Sequence, residues 1–209
     1  GEASLQSTII NMAQNYPGSN NLELLYPSGQ FGTRIANGKD ASSPRYIFTR
    51  LSDLTPIIYN EADNDNLNYL DDDGFTIEPE RFVPLLPMIL INGTKGIGTG
   101  WSTDIPKYNP LDVLDCMKKL LKGEELEEIT PWYRNYDGKF IKTGDKNFLN
   151  LGVYQIVNNN TLKILELPVG TSTEEYKEFL DKIVSGKEPK IDYVVNYENY
   201  SSDTKVCFI

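Results

Sequence analysis

"GSNNLELLYPSGQFGTRIANGKDASSPRYIFTRL", residues 18–51, is the stretch on which the fold reading turns. Residues 22–26 form a short apolar run of the kind that makes a strand. "PSGQFGTRIANGKDASSPR" then follows, rich in Gly, Ser, Asn and Asp, the composition of a long exposed loop or wing. After Pro44, the residues Ile47, Leu51, Leu54 and Ile58 fall on one helical face. That spacing predicts a helix, which Pro56 ends or kinks early.

Upstream, "SLQSTIINMAQNY" sets Leu5, Ile9, Met12, Ala13 and Tyr16 at helical intervals. Ser4 reads as its N-cap and Pro17-Gly18 as its stop. Helix, strand, wing and helix are the ingredients of a winged helix-turn-helix module.

Downstream, "EADNDNLNYLDDDG" reads as a polar surface loop. It fails as a calcium loop, because Leu67, Asn68 and Gly74 stand where an EF-hand needs a ligand, a glycine and a glutamate. "PLLPMILINGTKGIGTGW" reads as a buried strand entering a glycine-rich turn. Trp101 breaks the dinucleotide pattern, and no Gly-Lys-Ser/Thr run makes a P-loop. From about residue 105 the texture changes to that of a second, mixed α/β region. "NPLDVLDCMKKLLKG" has an Asn109 cap, Pro110 at the first position, lysines late and Gly123 as its stop. "VYQIVNNNTLKILEL" reads as a hairpin. "STEEYKEFLDKIVSG" opens with a capping box from Ser172 to Glu175 and should bury Tyr176, Phe179, Leu180 and Ile183. "DYVVNY" and "KVCFI" read as two last strands, the second ending abruptly, as though cut from a longer chain.

Composition narrows the chemistry. Among 209 residues there is no histidine, which excludes Ser-His-Asp and Cys-His catalysis within this chain, and His-bound zinc too. Cys116 and Cys207 have no metal-ligand spacing and fit a reducing, intracellular setting. No apolar run approaches the ~20 residues of a membrane span, and the first residues lack signal-peptide character. The net charge of −10 argues at first against nucleic acid. It is unevenly spread, however. Residues 1–60 are neutral, with Arg34, Lys39, Arg45 and Arg50 matching Glu2, Glu23, Asp40 and Asp53, while residues 61–101 carry −6.

The cations gather around Arg45-Tyr46. By spacing alone Tyr46 is one of thirteen tyrosines, best read as a packed strand residue. The other reading is chemical. A phenol with a pKa of ~10 is a good leaving group, and an adjacent arginine can support a phosphoryl oxygen.

The quoted stretch resembles the DNA breakage-reunion core of type IIA DNA topoisomerases of the eukaryotic-type branch. "GEASLQSTIINMAQNY", "EPERFVPLLPMILINGTKGIGTGW" and "ELPVGTSTEEYKEFL" continue the match in order, over essentially the whole chain. The resemblance implies a mixed α/β fold: a winged-helix (CAP-like) domain, in its C-terminal part, over residues 1–86, then a partial tower domain over 87–209. It implies that Tyr46 attacks a DNA phosphodiester and becomes linked to the 5′ end, with Arg45 supporting the phosphate. It implies that Ile97 wedges between base pairs. Lys95, Gln14, Arg34, Lys39 and Ser172 are expected to contact DNA as well. Ser172 and Gly170 depart from the family's "LPVRTWT" pattern, where a tryptophan and an arginine stand. Double-stranded DNA and a homodimer are the implied partners, with no membrane. Mg²⁺ and ATP are expected to be bound by domains outside this chain, so the fragment alone should be inactive. An intracellular location follows: nuclear for a eukaryote, host cytoplasm or nucleus for a virus. A non-catalytic winged-helix module for DNA binding is the alternative.

Overall fold

The computed structural model describes residues 1–186 and 194–209. Helix α1, Glu2–Ala13, starts after Gly1 with no side-chain cap, so Ser4 lies inside it and not at its end. Strand β1, Leu25–Ser28, pairs antiparallel with β2, Phe48–Leu51, in the register Leu25↔Leu51 to Ser28↔Phe48. This corrects the helix expected after Pro44. The Ile-Phe-Thr run there is β-branched and aromatic and pairs with β1. Helix survives only as the single turn α2, Thr55–Ile58, with Pro56 in its first turn, and of the four expected face residues only Ile58 is buried. Two 3₁₀ turns, Arg34–Ala36 and Pro44–Tyr46, punctuate the intervening wing.

The acidic segment is also more ordered than a loop. A 3₁₀ turn, Glu61–Asn66, is capped by the Asn60 side chain. A hairpin follows, β3 (Tyr69–Asp72) with β4 (Phe75–Pro79), turning through Asp73 and Gly74 at positive φ. The expected strand before the glycines is instead the short helix α3, Met88–Ile91. Next comes the hairpin β5 (Thr94–Gly98) and β6 (Trp101–Ile105), with Gly100 at φ 78° in its turn.

Helix α4, Pro110–Lys122, matches its sequence signals. The Asn109 side chain accepts from the Leu111 N–H at 2.9 Å, and Gly123 ends the helix at φ 71°. After it, β7 (Lys139–Lys142) pairs with β8 (Phe148–Leu151), and β9 (Val153–Asn158) pairs with β10 (Thr161–Glu166). Helix α5, Thr173–Val184, carries the expected capping box between Ser172 and Glu175. Of its expected core face, Leu180 and Ile183 are buried, while Phe179 stays exposed. The start of "DYVVNY", Asp192 and Tyr193, lies outside the described residues, and residues 194–197 form no strand. "KVCFI" contributes single bridges, Phe208 facing both Ile164 and Asn199.

Leu167, Leu180, Val206 and Phe208 make the principal core, with Ile164, Tyr176 and Tyr197 packed around it. The sheets of the described residues are all two-stranded. The accessible surface is 14,694 Å², where a compact monomer of this mass exposes about 9,800 Å². Much apolar surface therefore remains open.

Candidate active site

The wing is a closed loop held from inside. At its neck the Ser42 N–H donates to Gln30 O at 2.9 Å. Asp40 accepts from the Thr33 N–H at 2.8 Å and from its hydroxyl at 2.5 Å. The Gln14 amide, at the end of α1, donates to Phe31 O and Gly38 O. Gly32 and Gly38 touch backbone to backbone, so closely that a Cβ on Gly32 would sit 2.6 Å from the Gly38 Cα.

The return limb of that loop carries Arg45 and Tyr46 on the turn Pro44–Tyr46. The Tyr46 N–H donates to Ser43 O at 2.9 Å, which fixes the turn. Both side chains point to solvent, and Tyr46 is 69% exposed. The Arg45 guanidinium lies 5.3 Å from the centre of the Tyr46 ring. Arg45 has no ion pair among the described residues, so its donors are open to an outside anion. Arg50, further along β2, is different: it stacks on Tyr26 at 4.9 Å and pairs with Asp53 at 2.9 Å.

Hairpin β5–β6 presents a second exposed group. Ile97 is 88% exposed and Trp101 85%, so Ile97 does not tuck under Trp101. It sits within β5, opposite Ser102, and not on the turn. An isoleucine left in water forgoes about 1.5–3 kcal/mol of burial. A Cβ on Gly96 would meet nothing within 4 Å. Nothing in the chain itself requires a glycine there, whereas the close approach of another molecule would. Lys95 lies opposite Asp104 and pairs with it at 3.2 Å, well exposed.

Three expected DNA contacts need correction. Gln14 is buried and its amide is committed to the loop. Ser172 is buried, and its hydroxyl accepts from the Glu175 N–H as the cap of α5. Arg34 is only 2% exposed: it pairs with Glu166 at 2.6 Å and donates to Leu167 O at 2.7 Å. A buried side chain with those partners is not presented to a phosphate. Lys39 remains at the surface, 4.0 Å from Glu175.

Sequence reasoning missed several polar anchors. Asn21 donates to Tyr108 O and Trp132 O and accepts from the Arg134 N–H. Asn92 exchanges bonds with the Leu22 backbone, and Arg134 pairs with Glu23 at 2.6 Å. Their long sequence separation leaves no local signal. Among the described residues no group of three or more His, Cys, Asp or Glu could hold a metal ion.

A family model for DNA gyrase/topoisomerase IV matches residues 1–209. The chain belongs to that family. Its relatives include DNA topoisomerase 2 of Drosophila melanogaster, 46% identical over the whole of this chain, and DNA topoisomerase 2 of Plasmodium falciparum, 44% identical. The chain spans 14% and 15% of those two proteins. Among solved structures, it is similar to the Plasmodium falciparum topoisomerase II DNA-binding, cleavage and re-ligation domain. The TM-score is 0.95 at 44% identity, covering 100% of this chain and 28% of the other. The mixed α/β fold with small sheets is thus a fold of the gyrase/topoisomerase IV family.

Proposed function

We propose that this chain is part of the cleavage and religation core of an ATP-dependent type II DNA topoisomerase, with Tyr46 as nucleophile and Arg45 as its phosphate support. The observation that carries this reading is the open Arg45–Tyr46 pair, set on a turn in a chain similar over its full length to a DNA cleavage and re-ligation domain. In this reading residues 1–86 are the winged-helix part and 87–209 the tower part.

The Tyr46 phenolic oxygen attacks a backbone phosphorus. A phosphorus–phenol oxygen bond forms, the bond to the 3′ oxygen breaks, and that oxygen leaves as the 3′-hydroxyl with a proton. Religation runs the same step backwards. The phenol's ordinary pKa of ~10 makes it a much better leaving group than an alkoxide, so the bond energy is stored in the ester and no outside energy is needed to reseal. Arg45 meets charge on the non-bridging oxygens. Ile97, free of the fold, enters a base step; unstacking costs a few kcal/mol, offset by the surface that bent DNA brings into contact. Lys95 and Lys39 meet phosphates nearby.

Mg²⁺ and ATP act in other parts of the parent protein, and no step above runs through them. Double-stranded DNA is the substrate, the parent works as a homodimer, and its place is intracellular, nuclear in a eukaryote. Among the described residues, no helix is long and apolar enough to cross a membrane.

The test uses the full-length parent. Tyr46→Phe should abolish detergent-stable protein–DNA adducts while DNA binding stays within about twofold of wild type. Arg45→Ala should slow cleavage and religation by about 10²–10³, the range for one lost preorganised donor. Adducts that persist in Tyr46→Phe would overturn the assignment. Salt-sensitive binding with no adduct in the wild type would favour the non-catalytic DNA-binding module instead.

A further inference from the structure

Arg34 carries a charge that is almost wholly buried, and its position asks for an explanation. It lies in the wing loop, whereas its partners Glu166 and Leu167 O belong to the end of β10, 133 residues away for the Leu167 bond. Its Nε and Nη1 are buried with no partner. A replacement by well-packed apolar residues is often as stable as a buried ion pair. Stability alone is therefore a weak reason for one here.

We infer that Arg34 and Glu166 are positioning residues for the Arg45–Tyr46 turn, tying the wing loop to the β10–α5 segment so that the turn is held in one place. This rests on the cleavage reading above. Further contacts run along the same seam. The Asn37 amide donates to Gly170 O at 2.8 Å, and Lys39 approaches Glu175. Glu166 is itself oriented by the Leu167 N–H at 2.9 Å and the Asp137 N–H at 3.4 Å. From Arg34 the constraint reaches the turn by a short path. Thr33 and Asp40 cross-brace the loop, the Ser42–Gln30 bond closes its neck, and Gly29 packs on Ile47, directly after Tyr46. A Cβ on Gly29 would stand 2.9 Å from the Ile47 Cγ2.

The Arg34 side chain cannot act by touching DNA, because it is inside. Its effect must appear in the chemical step and not in affinity. In the full-length parent, at saturating DNA and well below each variant's melting temperature, Arg34→Ala and Glu166→Leu should lower the single-turnover cleavage rate about 10–100-fold, as displacements of about 1 Å do. The Kd for DNA should stay within about twofold. Glu166→Gln keeps an acceptor for Arg34 and should recover to within about threefold of wild type. Should the buried-charge variants fail to fold, Asn37→Gly serves in their place. Glycine accepts the left-handed backbone of Asn37 (φ 49°) and removes only the bond to Gly170. It should slow cleavage about threefold with DNA affinity unchanged.

A variant that melts lower but cleaves at the wild-type rate, or one that loses affinity in step with rate, would overturn the inference. Glu166→Gln falling as far as Glu166→Leu would overturn it too. Tyr46→Phe is run alongside: adducts surviving there sink the cleavage reading itself, whereas adducts lost there with Arg34→Ala cleaving normally sink only the positioning role.

Discussion

The wing loop, residues 29–42, and the β5–β6 hairpin are both rich in glycine, and they treat their side chains in opposite ways. In the loop, glycines let backbones touch, and the polar groups Gln14, Thr33, Arg34 and Asp40 are turned inward and bonded. In the hairpin, Gly96 has open space around it, and Ile97 and Trp101 face water. The loop is complete within this chain. The hairpin packs mainly on itself and is finished only by something outside. Similar composition thus serves two ends: one region fixes a reactive turn, and the other keeps an apolar side chain available.

Mutation at the two sites should separate these roles. Arg34→Ala leaves Glu166 buried without its partner, and should destabilise the chain by about 3–5 kcal/mol, read from denaturant unfolding. A loss under about 1 kcal/mol would mean that the loop is not held from within.

A smaller effect is expected at alkaline pH. The Tyr136 phenol, which donates to Asn150 and to Leu151 O, is pushed up to about 12 from 10.0, first by burial and then by the Glu166 carboxylate. Since the folded pKa lies above the unfolded one, its contribution is complete below pH 10.0 and fades as pH rises toward about 12. The melting temperature of Tyr136→Phe should therefore fall less steeply across that interval than wild type. Parallel slopes would remove the phenol from the account.

Ile97→Ala should produce the least change in the protein and a clear one in DNA. Stability should shift by no more than about 0.5 kcal/mol, as for other exposed sites. Bending of an intact duplex by the full-length parent, followed by end-to-end energy transfer, should be lost, while a nicked duplex binds almost normally. Unfolding of this variant, or undiminished bending, would make Ile97 an ordinary structural residue.

Much of the C-terminal half was legible because its signals are local. Asn109, Pro110 and Gly123 bracket α4, Ser172 and Glu175 close a capping box, and the run from Asn158 to Asn160 turns a hairpin. The stretch after Pro44 misled because Ile47, Leu51, Leu54 and Ile58 match a helical period by accident across a strand, a bend and one helical turn. At the site, Arg45 and Tyr46 stood out only through the family's motif, since an exposed tyrosine on a 3₁₀ turn has no period to betray it. Arg34 was misplaced for a physical reason. Arginine is mostly exposed unless paired, and its partner lies too far along the chain for any window to join them. Asn21 and Asn92 hid likewise, as loop residues by composition and buried braces in fact.

The two-stranded sheets have a consequence of their own. Each strand in a pair has one side bonded and the other bare, so the described residues hold no shielded central strand. Bare strand edges are sticky toward their own kind. Lys139, Lys142 and Lys163 sit on such strands, and the net charge of −10 keeps copies apart in solution. That repulsion weakens when salt screens it or acid neutralises the carboxylates. The chain's colloidal behaviour is thus set by its charge, because its hydrogen-bonding pattern leaves so many places for a second copy to attach.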